Sequence, residues 1–153
     1  MNKTVRKFWK QYLATLPPEE KAGRSFTAWS FGNSPEMADR LGDLTRQGVK
    51  TATSALLWEF EATDEALPKP GDLNIILNGK GEPLCIVETV EIEIKPFDQV
   101  DERFAWEEGE GSRTLEYWRA VHWEFFGQSC ARIGRQPNER MPVVCERFRL
   151  VFP

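Results

Sequence analysis

The segment from Gly48 to Ser54 combines residue types that could carry out acyl-transfer chemistry. It reads Gly-Val-Lys-Thr-Ala-Thr-Ser, so a glycine, a lysine and several hydroxyls stand just before a run that favours extended backbone. Glycine lets the chain turn tightly near a ligand, and backbone N–H groups together with Lys50 could hold an anion. Thr53 lies three residues beyond Lys50. A lysine so placed could assist a threonine nucleophile or stabilise a developing oxyanion.

The catalytic interpretation predicts that Lys50 and Thr53 lie within hydrogen-bond reach, directly or through one water, at the mouth of a cleft. The alternative is a solvated loop lysine beside turn-forming threonines, and the residues alone leave it open. Both interpretations treat Lys50 as a loop residue that contributes little to core packing. We therefore expect Lys50→Ala to leave the fold intact.

A second candidate segment is the acidic loop at residues 106–113, which reads Trp-Glu-Glu-Gly-Glu-Gly-Ser-Arg. Carboxylates separated by glycines can place a general acid or base over a ligand, here at the N-terminus of the helix that follows. Three glutamates, Glu107, Glu108 and Glu110, could take that part. The alternative is a mobile acidic surface loop.

Other single residues stand out by their surroundings. Glu88 interrupts an otherwise apolar strand face, where an unpaired carboxylate would be costly. It either lines a cleft as a hydrogen-bond acceptor, or pairs with an arginine or turns outward at a β-bulge. Trp29 and Trp58 flank the Gly48–Ser54 segment and offer stacking surfaces for bases. For His122, on the apolar side of its helix, a hydrogen-bonded core position is favoured over a catalytic one.

These residues must be positioned by helices that the apolar spacing predicts in three places. Residues 3–16 show helical spacing and are stopped by two prolines. A second helix opens with Ser34 as its N-cap and Pro35 at its first position, and Gly48 caps its end. A third helix covers residues 115–126, with Thr114 as its N-cap.

The remaining segments predict strands. Residues 72–77 and 84–95 form a hairpin around the turn at residues 78–81, and the even positions of the longer strand are apolar except for Glu88. A final strand at residues 143–152 closes the chain, and residues 51–60 begin extended. This order predicts an α+β fold, with a compact β-barrel flanked by helices.

Composition limits the classes of protein to which the chain can belong. Its 153 residues suit a single domain over 1–153, with the helix at 3–16 packed on the barrel. Three cysteines form no Cys-x-x-Cys pair, and one histidine does not complete the usual zinc spacing, so we expect reduced thiols and no metal. No apolar run is long enough for a membrane span, and the N-terminus has no apolar leader segment, so we expect a cytoplasmic protein.

Charge is distributed unevenly along the chain. Residues 1–50 carry a net charge of +4, residues 51–111 carry −11, and residues 112–153 carry +3. If the two basic ends meet in the fold, they form a basic face suited to phosphates. Ordinary mixing of surface charges is the alternative.

The chain resembles the ASCH family, whose signature is Gly-x-Lys-x-x-Thr. Gly48, Lys50 and Thr53 match that signature. The longer bacterial branch of the family is similar over residues 26–152, through Trp29-Ser30-Phe31-Gly32, Pro70-Gly71-Asp72, Cys85-Ile86-Val87-Glu88-Thr89, Phe104-Ala105, Glu108-Gly109-Glu110-Gly111, Tyr117-Trp118-Arg119 and Val144-Cys145-Glu146-Arg147-Phe148. The resemblance implies a PUA-like β-barrel, a cleft at the signature lysine and an association with RNA.

The resemblance also implies an activity. One branch of the family consists of N4-acetylcytidine amidohydrolases, whose lysine, threonine and glutamate correspond here to catalytic Lys50, Thr53 and Glu110. The substrate-binding candidates are Phe31, Gly48, Ser54, Trp58, Glu88 and Glu108. No cofactor is implied, and the expected partner is a modified cytidine nucleoside or single-stranded RNA. A ribonuclease acting on single-stranded RNA and a non-catalytic RNA-binding module remain the alternatives.

Overall fold

A curled five-stranded half-barrel sheet forms the centre of the computed structural model, which describes residues 2–153. The strand order is β1-β3-β4-β5-β2, with β1 parallel to β3 and every other pair antiparallel. The α+β class with a barrel-like sheet is thereby confirmed. The strands are β1 (Thr27–Trp29), β2 (Ala52–Leu56), β3 (Leu73–Leu77), β4 (Pro83–Pro96) and β5 (Pro142–Phe152).

Six helices flank this sheet: α1 (Lys3–Leu13), α2 (Pro18–Lys21), α3 (Pro35–Arg46), α4 (Leu57–Thr63), α5 (Glu102–Glu108) and α6 (Leu115–Arg132). The predicted caps are confirmed, since Ser34 Oγ accepts from the Met37 N–H and Thr114 Oγ1 from the Tyr117 N–H, both at 3.2 Å. The helix α6 continues past the predicted end at Phe126 to Arg132. Gly127 lies within it and does not end it. None of the helices formed by residues 2–153 is long and apolar enough to cross a membrane.

The sheet is covered on both faces. On one face α1 packs Val5, Trp9 and Tyr12 against β3 and β4, while α5 and α6 cover β2 and β5. On the other face α3 and Phe31 cover the middle of the sheet. Alternate residues of a strand point to opposite faces, so neighbouring residues of β2 enter different cores.

The apolar even positions of β4 do not form a single buried face. Cys85, Ile86 and Val87 are all buried in succession because the strand is covered on both faces, and Val90 is exposed. The pairing with β5 shifts register between Ile86 and Val87 and again between Thr89 and Glu91. At the second shift β4 advances by two residues while β5 advances by one, so the β4 side chains after Val90 change face.

The loop after α5 packs directly on the segment that leads into β2. Gly109 has a φ of 74°, and a Cβ atom placed on it would lie 2.8 Å from the Val49 carbonyl oxygen and 3.1 Å from Lys50 Cα. The Thr51 N–H donates to the Glu107 carbonyl oxygen at 2.8 Å beside it. Gly48, with a φ of 80°, caps α3 as predicted and has no atom within 4 Å of such a Cβ.

Gly109→Ala should therefore destabilise the protein more than Gly48→Ala. Both substitutions place a side chain at positive φ, which costs about 1–2 kcal/mol, but only Gly109→Ala also pushes two backbone segments apart. Urea unfolding of the two variants measures the difference, with Gly48→Ala as the matched control. Equal losses in the two variants would mean that the loop moves aside freely.

Candidate functional site

Lys50 lies at the centre of a buried polar cluster and is 1% exposed. Its Nζ atom donates to Glu108 Oε1 at 3.0 Å, to the Glu108 carbonyl oxygen at 3.3 Å and to Glu110 Oε2 at 3.3 Å. The ring of Phe31 lies 5.1 Å from the same atom. An ammonium has three N–H donors, so these acceptors use all of them.

The second carboxylate oxygen of Glu108 accepts hydrogen bonds from side chains of β2 and α6. Its Oε2 atom accepts from Ser54 Oγ at 2.6 Å and from Trp118 Nε1 at 2.7 Å, and His122 Nε2 lies 3.3 Å away. The residue is 1% exposed. Burial removes water from both oxygens of this carboxylate, and the protein donors replace that water. The charged side chain is tolerated in the interior for this reason.

His122 is held in one orientation by its two ring nitrogens. Its Nδ1 atom lies 2.8 Å from the Trp118 carbonyl oxygen, which can only accept, so Nδ1 carries a hydrogen. A neutral ring would then present the lone pair of Nε2 to the Glu108 carboxylate. The imidazolium form presents an N–H instead, and the geometry therefore favours the cation. The histidine is both buried and part of the cluster.

Burial and charge act in opposite directions on the pKa values of this cluster. Burial alone would lower the pKa of Lys50 and of His122, but Glu108, together with Glu110, raises both above their ordinary values. Burial would raise the pKa of Glu108, yet Lys50 and His122 hold it below its usual range. Lys50 therefore remains an ammonium near neutral pH and is not a general base.

A cavity of about 50 Å³ opens beside this cluster. Its polar lining comes from Lys50, Thr53, Ser54, Glu108, Glu110 and His122, and Phe31 is among its apolar walls. Glu110 reaches it from the loop after α5, with 11% of its side chain exposed. The fold thus brings together the residues of the signature segment and of the acidic loop.

No hydrogen bond joins the Lys50 and Thr53 side chains directly in the described part of the chain. Both residues line the same cavity, and their contact through one water stays a prediction. Lys50 turns instead toward Glu108 and Glu110. The alternative of a solvated loop lysine was wrong, because Lys50 is among the largest fully buried side chains of the protein. Its removal would leave buried carboxylates without their counter-charge, so the expectation that Lys50→Ala leaves the fold intact must also be revised.

Three predicted substrate-binding residues are not brought to the cavity. Glu88 pairs with Arg149, whose Nε and Nη2 atoms lie 2.9 and 2.5 Å from Glu88 Oε1, so the arginine-paired alternative is confirmed. Trp58 packs beneath Arg135, whose guanidinium carbon lies 4.5 Å from the centre of the Trp58 ring. Gly48 serves as the cap of α3.

Trp118 belongs to the buried cluster, although the sequence analysis did not identify it as a site residue. It contributes both its indole N–H to Glu108 and its carbonyl oxygen to His122, and its ring stacks on that of His122 at 4.2 Å. The available signal was the spacing of the two residues, four apart on one face of α6.

Glu108, Glu110 and His122 each offer one ligand atom within 4.8 Å of the others, a spacing compatible with a metal ion. The Lys50 ammonium already bonds to both carboxylates at this point. A divalent ion would add its charge next to that ammonium and to a histidine that favours protonation. These three side chains therefore suit the Lys50 ammonium as their neighbouring cation better than a metal ion.

Comparisons with known proteins agree on one family. A family model described as the ASCH domain matches residues 27–152. The crystal structure of an ASCH domain from Lactobacillus crispatus is 30% identical, with a TM-score of 0.95, and the match covers 100% of this chain and 97% of that one. A protein from Enterococcus faecalis V583 is 38% identical with a TM-score of 0.90, covering 99% of this chain and 90% of that one.

A third solved structure, of a hypothetical protein, shares the fold alone. It is 16% identical with a TM-score of 0.54, and the match covers 83% of this chain and 100% of that one. No curated protein matched the chain.

Replacing Lys50 with methionine should destabilise the protein by about 3–5 kcal/mol, because it leaves Glu108 charged and unpaired in a buried site. Adding Glu108→Gln to that variant should recover part of the loss, since the unpaired charge is removed. Guanidinium unfolding of the two single variants and the double variant gives the coupling energy. Additive losses would contradict a direct ion pair.

His122 should titrate above about 6.5, the ordinary pKa of histidine. Because the pKa is raised in the folded state, protonated His122 stabilises the fold fully below about pH 6.5, and this contribution is lost as pH rises through the folded pKa. The chain has a single histidine, so one imidazole signal in an NMR titration reports this value directly. A pKa at or below the ordinary value would contradict the pairing with Glu108.

Proposed function

Since the chain belongs to the ASCH domain family, whose members are generally associated with RNA, we propose that it is an amidohydrolase that removes the acyl group from N4-acetylcytidine-type substrates. The observation that carries this proposal is the buried Lys50 ammonium, paired with Glu108 and Glu110 at a small cavity that Thr53 also lines. A cation, a hydroxyl and a carboxylate at one cavity are the groups that acyl transfer requires.

The balance of charge favours a neutral substrate over a phosphodiester. Lys50 is bonded to two carboxylates, and His122 lies against one of them. A phosphate entering the cavity would face Glu110 without any uncompensated cation to bind it. An amide carries no net charge and meets no such repulsion, which is why hydrolysis of an amide is preferred here to cleavage of RNA.

The size of the cavity supports the same choice. A volume of about 50 Å³ corresponds to a few water-sized groups at roughly 10–15 Å³ each, which suits an acyl group with the rest of the substrate outside. A larger surface concavity, of about 570 Å³, lies beside α3. Its charged residues are Glu36, Asp39, Arg40 and Asp43, so it is not a basic groove for an RNA backbone.

In the proposed first step, Thr53 Oγ1 attacks the acyl carbon and its proton passes to Glu110. Glu108 cannot take this proton easily, because four donors surround its carboxylate and lower its pKa. Protonation of Glu110 removes its charge and weakens its 3.3 Å bond to Lys50. One N–H of Lys50 then becomes available to the oxyanion at the moment that the oxyanion forms.

In the second step the C–N bond breaks and Glu110 returns the proton to the departing amine. Water then hydrolyses the threonine ester, with Glu110 as the base, and restores the starting state. Lys50 stays charged throughout. No cofactor is needed, because the threonine, the lysine and the carboxylate together complete the transfer.

Glu110→Gln should lower the turnover of N4-acetylcytidine by about 10²–10⁴-fold, the usual effect of losing a positioned acid or base. Substrate binding should change much less, since the amide keeps the size of the side chain. Chromatography of cytidine and acetate released over time measures the rate.

Glu88→Gln is the matched control for this variant, because Glu88 is paired with Arg149 away from the cavity. It should retain the wild-type rate. Full turnover in Glu110→Gln would remove Glu110 from the mechanism. Cleavage of a single-stranded RNA by the wild type, without hydrolysis of N4-acetylcytidine, would favour the ribonuclease alternative.

A further inference from the structure

Glu146 is a buried carboxylate that the proposed mechanism does not use. It lies on β5 and is 7% exposed. The strand register pairs it with Thr53 of β2, and paired residues of antiparallel strands project to the same face of a sheet. Glu146 therefore shares the α3-covered face with the hydroxyl that we assign as the nucleophile.

A chain of hydrogen bonds fixes the orientation of the Glu146 carboxylate. It begins at the indole N–H of Trp29, which can only donate and lies 3.0 Å from Asn74 Oδ1. The amide NH₂ of Asn74 therefore faces Thr89, and donates to Thr89 Oγ1 at 3.2 Å. The Thr89 hydroxyl must direct its own hydrogen to Glu146 Oε2, at 2.6 Å.

This chain engages only one of the two Glu146 oxygens. Oε2 is the acceptor for Thr89, whereas Oε1 accepts no hydrogen bond within residues 2–153 and is not among their fully buried unpaired atoms. Oε1 therefore keeps some contact with solvent and is open to a further donor. Burial raises the pKa of Glu146 and the negative charge of Asp72 adds to this effect, while the Thr89 bond and the charge of Lys50 offset it only in part. An N–H group donated to Oε1 would stabilise the ionised carboxylate.

We propose that Glu146 is a specificity-determining residue, whose Oε1 atom accepts a hydrogen bond from the exocyclic N–H of a cytosine-type base held beside Thr53. This assignment rests on the proposed function and names the part of the substrate that the site recognises. An N–H at that position distinguishes cytosine and its N4-acyl derivatives from uracil, which presents a carbonyl oxygen there.

The variant Glu146→Gln tests the assignment by inverting the hydrogen-bonding character of one atom. Thr89 would continue to donate to the amide oxygen, so the NH₂ group would occupy the position of Oε1. An acceptor thereby becomes a donor. The fold should be retained, since the substitution removes a buried charge and preserves the size of the side chain.

Calorimetric titration with cytidine and with uridine should show that the wild type prefers cytidine by at least about tenfold. Glu146→Gln should lose that preference or reverse it toward uridine. Glu88→Gln, the same substitution on the opposite face of the neighbouring strand, should keep it. If Glu146→Gln does not fold, the ¹³Cδ signal of Glu146 in the wild type decides, because it should shift on adding cytidine and not on adding uridine.

The outcomes separate the two proposals. Hydrolysis of N4-acetylcytidine with an unchanged cytidine preference in Glu146→Gln would overturn the role of Glu146 and leave the proposed function standing. A preference inverted toward uridine in Glu146→Gln, without any hydrolysis of N4-acetylcytidine by the wild type, would support the role of Glu146 and overturn the proposed function. A wild type that binds cytidine and uridine equally, with no shift of the Glu146 signal, would also overturn the assignment, and absence of both binding and hydrolysis would overturn both.

Discussion

The buried ion pair between Lys50 and Glu108 is the constraint on which the rest of the site depends. Neither charge could remain ionised in this position alone, because the loss of water would cost several kcal/mol for each ion. Together they fix the distance between the segment before β2 and the end of α5. The backbone carbonyl of Glu108 also accepts from Lys50, so the pair fixes main chain as well as side chains.

The ion pair also determines which residues remain chemically available. Glu108 is fully engaged by its donors and serves as the fixed counter-charge of the site. Glu110 has a single bond to Lys50 and reaches partly toward solvent. Two carboxylates only two positions apart thus have different properties, because one is surrounded by donors and the other is not.

The features that the sequence predicted correctly are mostly local. The caps at Ser34, Thr114 and Gly48 depend on residues a few positions away, and such patterns can be recognised directly. The burial of Lys50 depends on a partner 58 positions away, and no local pattern contains that contact. The resemblance to a family identified the fold and the segments of the site, but not which carboxylate pairs with the lysine.

The helix α1 has a consequence for how the boundaries of this protein are understood. The family model begins at residue 27, yet α1 supplies Val5, Trp9 and Tyr12 to the cluster that contains Ile75 and Ile86. A shortened chain beginning at the family boundary would present that apolar surface to water, where it would promote self-association. The segment that the family model matches is therefore shorter than the segment that must be expressed to keep this apolar surface covered.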